Sequence, residues 1–137
     1  MKRNLLLLII AMFIGLNTYA QHTSLIVDNQ TPGWLSSKIE YKDQQTLENL
    51  KITGYINGTD IKFIRELNIN RVLVSLDLSE AHIVAGGESY NGKFYTEDNK
   101  ITSLLFADFN HLEKIVLPLS TISIAYNPHF RNSFILS

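Results

Sequence analysis

The sequence has no cysteine, no excess of basic charge, and no apolar run long enough to cross a bilayer. Without cysteine there are no disulfides, so the domain must be held by its apolar core. There is also no thiol to carry a lipid anchor, which argues against a lipoprotein. Twelve basic residues stand against thirteen acidic ones, and no basic stripe is present to serve nucleic acid. The longest apolar run, Leu5 to Leu16, is about a dozen residues, against the roughly 20 that a membrane-spanning helix requires.

That run belongs to a different pattern. Met1-Lys2-Arg3 gives a basic start, and Thr18-Tyr19-Ala20 places small residues at the −3 and −1 positions of a cleavage site before Gln21. Together these are the three parts of a secretory signal peptide over residues 1–20; a single membrane anchor is the alternative. Cleavage removes Lys2 and Arg3, leaving ten basic and thirteen acidic residues and a net charge of −3. The expected product is exported, to the cell surface, the periplasm or the medium of a bacterium, with no membrane span after signal removal. At 45% hydrophobic and 18% charged, the chain has the composition of a single folded domain.

One apolar spacing, L-x-x-L-x-L, occurs three times with conservative exchanges: Leu47 to Ile52, Leu73 to Leu78 and Leu112 to Leu117. The first two copies are 26 residues apart, within the 20–29 of leucine-rich repeats; the next step, 39 residues, is 13 too long. The surplus maps to residues 84–100, where Gly86-Gly87 and Asn91-Gly92 are turn signals. Tyr90, Phe94 and Tyr95 flank the second, suggesting a small hairpin. Side-chain alternation points the second and third apolar residues of each copy into a core. Thr59 to Leu67 reads as a returning helix capped by Thr59 or Asp60, with Ile61, Ile64 and Leu67 on one face. Ser103 to Phe109 reads as a shorter apolar return. Residues 21–45 read as an amino-terminal cap, with a strand at Thr23–Val27, a turn at Pro32-Gly33, and a short helix laying Trp34, Leu35 and Ile39 over the first strand. The expected fold is α/β: a short leucine-rich-repeat solenoid over residues 46–137 with parallel strands, helical or irregular returns and that cap. Chance matches in a leucine- and isoleucine-rich chain are the alternative.

Three segments resemble the amino-terminal region of BspA-like leucine-rich-repeat surface proteins. They are Pro32-Gly33-Trp34-Leu35 with Leu50 to Gly54, then Ile56 to Ile61 with Ile64-Arg65 and Leu76 to Ile83, then Phe106 through Leu112 to Pro118 and on to Ile124 and Phe130. The most specific phrases are Asn57-Gly58-Thr59-Asp60 and Leu76-Asp77-Leu78-Ser79. The chain departs from many leucine-rich repeats in carrying Tyr55, Ala81 and Ser120 where an asparagine ladder would stand. The resemblance implies a protein-interaction or adhesion module whose partners are host matrix proteins, other bacteria or surface glycans. It also implies a truncated or very short member, since relatives carry many more repeats and the final copy has no polar cap.

Catalytic patterns are missing. His22, His82, His111 and His129 form no H-x-x-x-H pair, Glu97-Asp98-Asn99 lacks a full calcium-loop spacing, and no G-x-S-x-G, Walker or G-x-G-x-x-G motif occurs. No catalytic residue, metal ligand or cofactor is assigned; loss of a hydrolase activity on changing Asp77 or His82 would reverse that. Binding has the better basis. In register, Lys51, Asp77 and Val116 would form one outward row and Asn49, Ser75 and Lys114 the next, on the face where solenoids bind partners. Taken singly, Lys51 beside Asp77 is also readable as an exposed cross-strand pair. Tyr90, Phe94 and Tyr95 give a second candidate surface, or a loop packed on its own repeat. A carbohydrate-binding accessory domain using those aromatics is the alternative function. Expressed in a bacterial secretion host, the exported protein is expected to begin at Gln21 by intact mass; a product retaining residues 1–20 would remove the signal-peptide assignment.

Overall fold

Leu47–Ile56 alternates with period two: Leu50, Ile52 and Ile56 are fully buried, while Asn49 and Tyr55 face outward. That pattern makes it the long central strand of a sheet. The computed structural model describes residues 23–70, 72–102, 104–125 and 134–135, so the predicted signal peptide, His22 and His129 lie outside the described residues. The elements are β1 (Thr23–Asn29), α1 (Leu35–Lys38), α2 (Tyr41–Gln44), β2 (Leu47–Ile56), α3 (Gly58–Ile69), β3 (Ser75–Asp77), β4 (Ala81–Ile83), β5 (Lys100–Ile101), β6 (Lys114–Val116), β7 (Ser123–Ile124) and β8 (Phe134–Ile135).

The architecture is α/β with a parallel sheet. Strand order is β1-β2-β3-β6-β8, with β4 pairing the far half of β2, and β5 and β7 form a separate parallel pair. Leu25, Leu50, Leu76, Ile115 and Phe134 are successive register partners, so the chain advances by 25, 26, 39 and 19 residues between neighbours. β2 changes partner at Gly54, which has φ +86° and lies so close to β1 that a Cβ there would fall 2.6 Å from the Asn29 carbonyl oxygen. The strand expected at Thr23–Val27 of the amino-terminal segment is β1, and it belongs to the same sheet. On the far side of β6, β8 pairs with it.

The core lies between the inward sheet face and the returning segments. Leu73, Leu76 and Leu78 are fully buried, as are Ile61 and Ile64 of α3, and Leu67 nearly so. Each such side chain contributes about 1.5–3 kcal/mol by leaving water. The helix cap differs from expectation. Asn57 is the N-cap, its Oδ1 accepting from the Thr59 N–H at 3.0 Å, and Asp60 occupies the third helical position. The Asp60 carboxylate is 1% exposed and accepts three backbone N–H groups: Gly33 at 2.6 Å, Leu35 at 3.0 Å and Asn57 at 3.0 Å. It thereby ties the Pro32-Gly33 turn to the head of α3. Leu35 and Ile39 are buried by this docking, whereas Trp34 is 61% exposed: the turn aims it outward, against expectation.

The far side of α3 is clasped too. Arg65 Nη1 donates to the carbonyls of Ala107 at 2.9 Å, Leu104 at 3.2 Å and Leu105 at 3.4 Å, and its guanidinium lies 5.7 Å from the Phe109 ring centre. The turn it holds is strained, with Leu104 and Asp108 both at φ +64°.

Residues 84–100 close on the head of α3. The Gly58 N–H reaches Gly86 O at 3.0 Å, the Glu88 N–H reaches Thr59 Oγ1 at 2.9 Å, and Lys62 pairs with Glu88 at 2.5 Å. The expected hairpin is reduced to one antiparallel bridge, Gly86 with Thr96, and a Tyr90 N–H to Phe94 O hydrogen bond of 3.0 Å. Contacts with α3 hold the loop, so it needs no ladder of its own. Asp60→Ala is expected to lower unfolding stability by about 3–5 kcal/mol in urea titration, because three buried donors lose their acceptor. Gly58→Ala should destabilise as well, although alanine ordinarily favours a helix, because its Cβ would fall 2.0 Å from Glu88 O. A stabilised Gly58→Ala would refute the docking geometry.

Candidate binding surface

The outward rows form as the alternation requires. Asn49 pairs in register with Ser75 and Ser75 with Lys114; Lys51 pairs with Asp77 and Asp77 with Val116. β1 extends both, placing Ser24 beside Asn49 and Ile26 beside Lys51. Asn49 and Lys114 are exposed, and Lys51, Ser75, Asp77 and Val116 half-buried. All six predicted residues therefore share one sheet face. Ile26, 76% exposed, puts an apolar side chain beside the charged centre.

The charged centre is a small network. The Lys51 ammonium contacts the Glu80 carboxylate and lies 4.0 Å from that of Asp77. The Glu80 hydrogen bond pushes the Lys51 pKa upward. Partial burial pushes the Asp77 carboxyl up, but the Ser79 hydroxyl and N–H, with Lys51 and Lys114 nearby, outweigh it and hold the group below its ordinary value. Lys51 is thus turned toward the acidic pair rather than standing alone. Asn49 Nδ2 donates to Ser24 Oγ at 3.1 Å, and Thr53 Oγ1 to Asp28 at 3.0 Å. The rows are cross-linked by polar side chains as well as by backbone.

Two further residues of this face were not among the candidate binding residues of the sequence. Tyr55 and His82 are register partners with exposed side chains, their rings 5.6 Å apart and tilted by 31°. The signal for both is the same alternation: Tyr55 follows Asn49, Lys51 and Thr53 outward, and His82 stands between buried Ala81 and Ile83.

The aromatic insert divides. Tyr90 does not belong to an exposed surface: it is 2% exposed, with its hydroxyl 2.9 Å from Thr102 Oγ1. The Tyr90 ring is drawn into the nearest apolar gap, here the core beneath the loop. Phe94 (39% exposed) and Tyr95 (59% exposed) remain outside, Phe94 stacking 6.4 Å from Tyr90. The candidate surfaces therefore stand on different elements, one on the sheet and one on the loop.

A cleft of about 320 Å³ lies beside β7, lined by Leu117, Pro118, Leu119, Thr121, Ile122, Ser123 and Ile124, with no ionisable side chain in its wall. No group of three or more His, Asp or Glu residues able to hold a metal occurs among the described residues, and no helix there is long and apolar enough to cross a membrane. No protein-family model and no curated protein sequence matches the chain.

Burial pushes the Tyr90 phenol pKa up, against the opposing Thr102 hydrogen bond. A group whose folded pKa is raised contributes stability below its unfolded value of about 10, and this is lost as pH rises through the folded value. In an ultraviolet titration Tyr90 is expected to ionise above the ordinary tyrosine value. Tyr90→Phe should remove that raised component and cost about 1 kcal/mol of stability. An unchanged titration curve would contradict the burial.

Proposed function

We propose that the chain is an exported, non-catalytic leucine-rich-repeat module of the BspA-like kind that binds a protein partner, as an adhesion or interaction surface. The observation that carries this is the registration of the two outward rows, Ser24-Asn49-Ser75-Lys114 and Ile26-Lys51-Asp77-Val116, across four parallel strands. In a short solenoid such a face is rigid and built from side chains that the core does not use, so it recognises at little ordering cost. Mixed charge around Lys51, Asp77 and Glu80, with Ile26 alongside, suits a protein surface of polar and apolar character. Export rests on the signal-peptide pattern of residues 1–20.

The second reading is a carbohydrate-binding accessory domain, favoured by the exposure of Phe94 and Tyr95 at the tip of the insert. Aromatic faces at a loop tip can stack on sugar rings, and this surface shares no residue with the strand rows.

A panel of immobilised matrix proteins and a glycan array separate the two. With a protein partner found, the double variant Lys51→Glu, Lys114→Glu is expected to weaken binding by about tenfold or more. Phe94→Ala with Tyr95→Ala should leave it unchanged. Glycan binding lost on changing Phe94 and Tyr95, and indifferent to the lysines, would replace the first reading with the second.

A further inference from the structure

The chain contains two Asn-Gly pairs, and the fold puts them in opposite surroundings. Asn57 is 9% exposed at the head of α3, its Oδ1 engaged by the Thr59 N–H and the neighbouring Gly58 N–H engaged by Gly86 O, both at 3.0 Å. Asn91 is exposed within the insert. Its Oδ1 accepts from the backbone N–H groups of Phe94 at 3.2 Å and Lys93 at 3.4 Å. The Gly92 N–H makes no hydrogen bond among the described residues. An added Cβ at Gly92 would meet nothing within 4 Å, so the tip is open.

We propose that Asn91 is a self-modifying site at which the chain converts its own asparagine to aspartate and isoaspartate. The Gly92 backbone nitrogen adds to Asn91 Cγ, forming a C–N bond. The Cγ–Nδ2 bond then breaks, and the amide proton lost by Gly92 leaves with Nδ2 as ammonia. Water opens the resulting five-membered imide at either carbonyl, giving aspartate or the β-linked isomer. No electrons are transferred, and the sum is one water consumed and one ammonia released.

Three features favour the step at this position. Negative charge develops on Oδ1, where two backbone N–H groups already point. The attacking nitrogen belongs to a glycine, which offers no Cβ to obstruct ring closure. It also has no competing partner to give up. At Asn57 the following residue is also a glycine and Oδ1 also accepts an N–H, but Gly58 N is occupied by Gly86 O, and rotating the Asn57 side chain would dismantle the helix cap.

The consequence is local. A new carboxylate appears beside Lys93 and the exposed Phe94 and Tyr95. The isomer inserts one main-chain carbon between residues 91 and 92, which disturbs the Tyr90 N–H to Phe94 O bond. The strand rows are untouched, so the inference does not rest on the proposed function.

The test is peptide mapping by mass spectrometry of the full chain, aged at neutral and mildly alkaline pH, folded and in urea, with isoaspartyl methyltransferase labelling to mark the isomer. In the folded protein Asn91 is expected to convert at least about tenfold faster than Asn57, a barrier difference of ~1.4 kcal/mol or more. The rate should rise with pH, and the difference should vanish in urea. Gly92→Ala should slow conversion at Asn91, with strain confined to the open turn because Gly92 holds φ +82° and its Cβ would meet nothing within 4 Å. Asn91 remaining intact in the folded chain, or Asn57 converting alongside it there, would overturn the proposal.

Discussion

The Asp60 carboxylate joins parts of the chain that are otherwise distant in sequence. It is buried, with no ion pair among the described residues, and it is met by three backbone N–H groups, from Gly33, Leu35 and Asn57. Hydrogen bonds to a charged acceptor are each worth about 1.5–3 kcal/mol, and the positive end of the α3 dipole adds to them. Against this stands the cost of removing a carboxylate from water. The balance depends on all three donors being in place together, which requires the turn at Gly33, the start of α1 and the cap of α3 to form as one unit. That unit sets α3 against the sheet and brings Leu35 and Ile39 into the core.

From this fixed helix the other irregular segments take their positions. Gly58 and Gly87 allow the insert to approach closely: a Cβ at Gly87 would fall 2.6 Å from Asn57 Oδ1. Arg65, one side of the helix away, satisfies three carbonyls of the 104–108 turn. These carbonyls have no ladder to join, so a guanidinium with several donors replaces it. The long 84–100 insertion is thus carried without a second core, by hydrogen bonds at its base and one buried ring, Tyr90.

The sheet divides its work by face. Inward side chains hold the register, and because parallel strands repeat that register faithfully, the outward side chains align whatever their chemistry. Charge can therefore gather around Lys51, Asp77 and Glu80, and aromatic surface at Tyr55 and His82, with little cost to the core. The rows are positioned by strands rather than by loops, so their geometry is stiff. The insert, anchored at its base and open at Asn91-Gly92, is the more adaptable of the two surfaces.

Alternation and helical spacing are local properties, and the sequence alone carried them. They marked Leu50, Ile52, Leu76, Leu78 and Ile115 as inward, Ile61, Ile64 and Leu67 as one helical face, and Asn49, Lys51, Ser75, Asp77, Lys114 and Val116 as outward. The row assignments follow from the same periodicity and agree with the observed pairing. Tyr55 and His82 were within its reach too, as outward positions of strands. What the sequence could not supply were contacts between segments with no common period. Asn57 rather than Thr59 or Asp60 is the N-cap of α3, and Asp60 closes the capping box while also accepting from Gly33 and Leu35, 27 and 25 residues away. Trp34 turns outward while Tyr90 turns in, because the docking of a turn and of a loop decides which aromatic finds an apolar gap. Period fixes the face of a residue within its own element; whether an irregular segment is buried depends on which surface it meets, and only the tertiary structure brings those surfaces together.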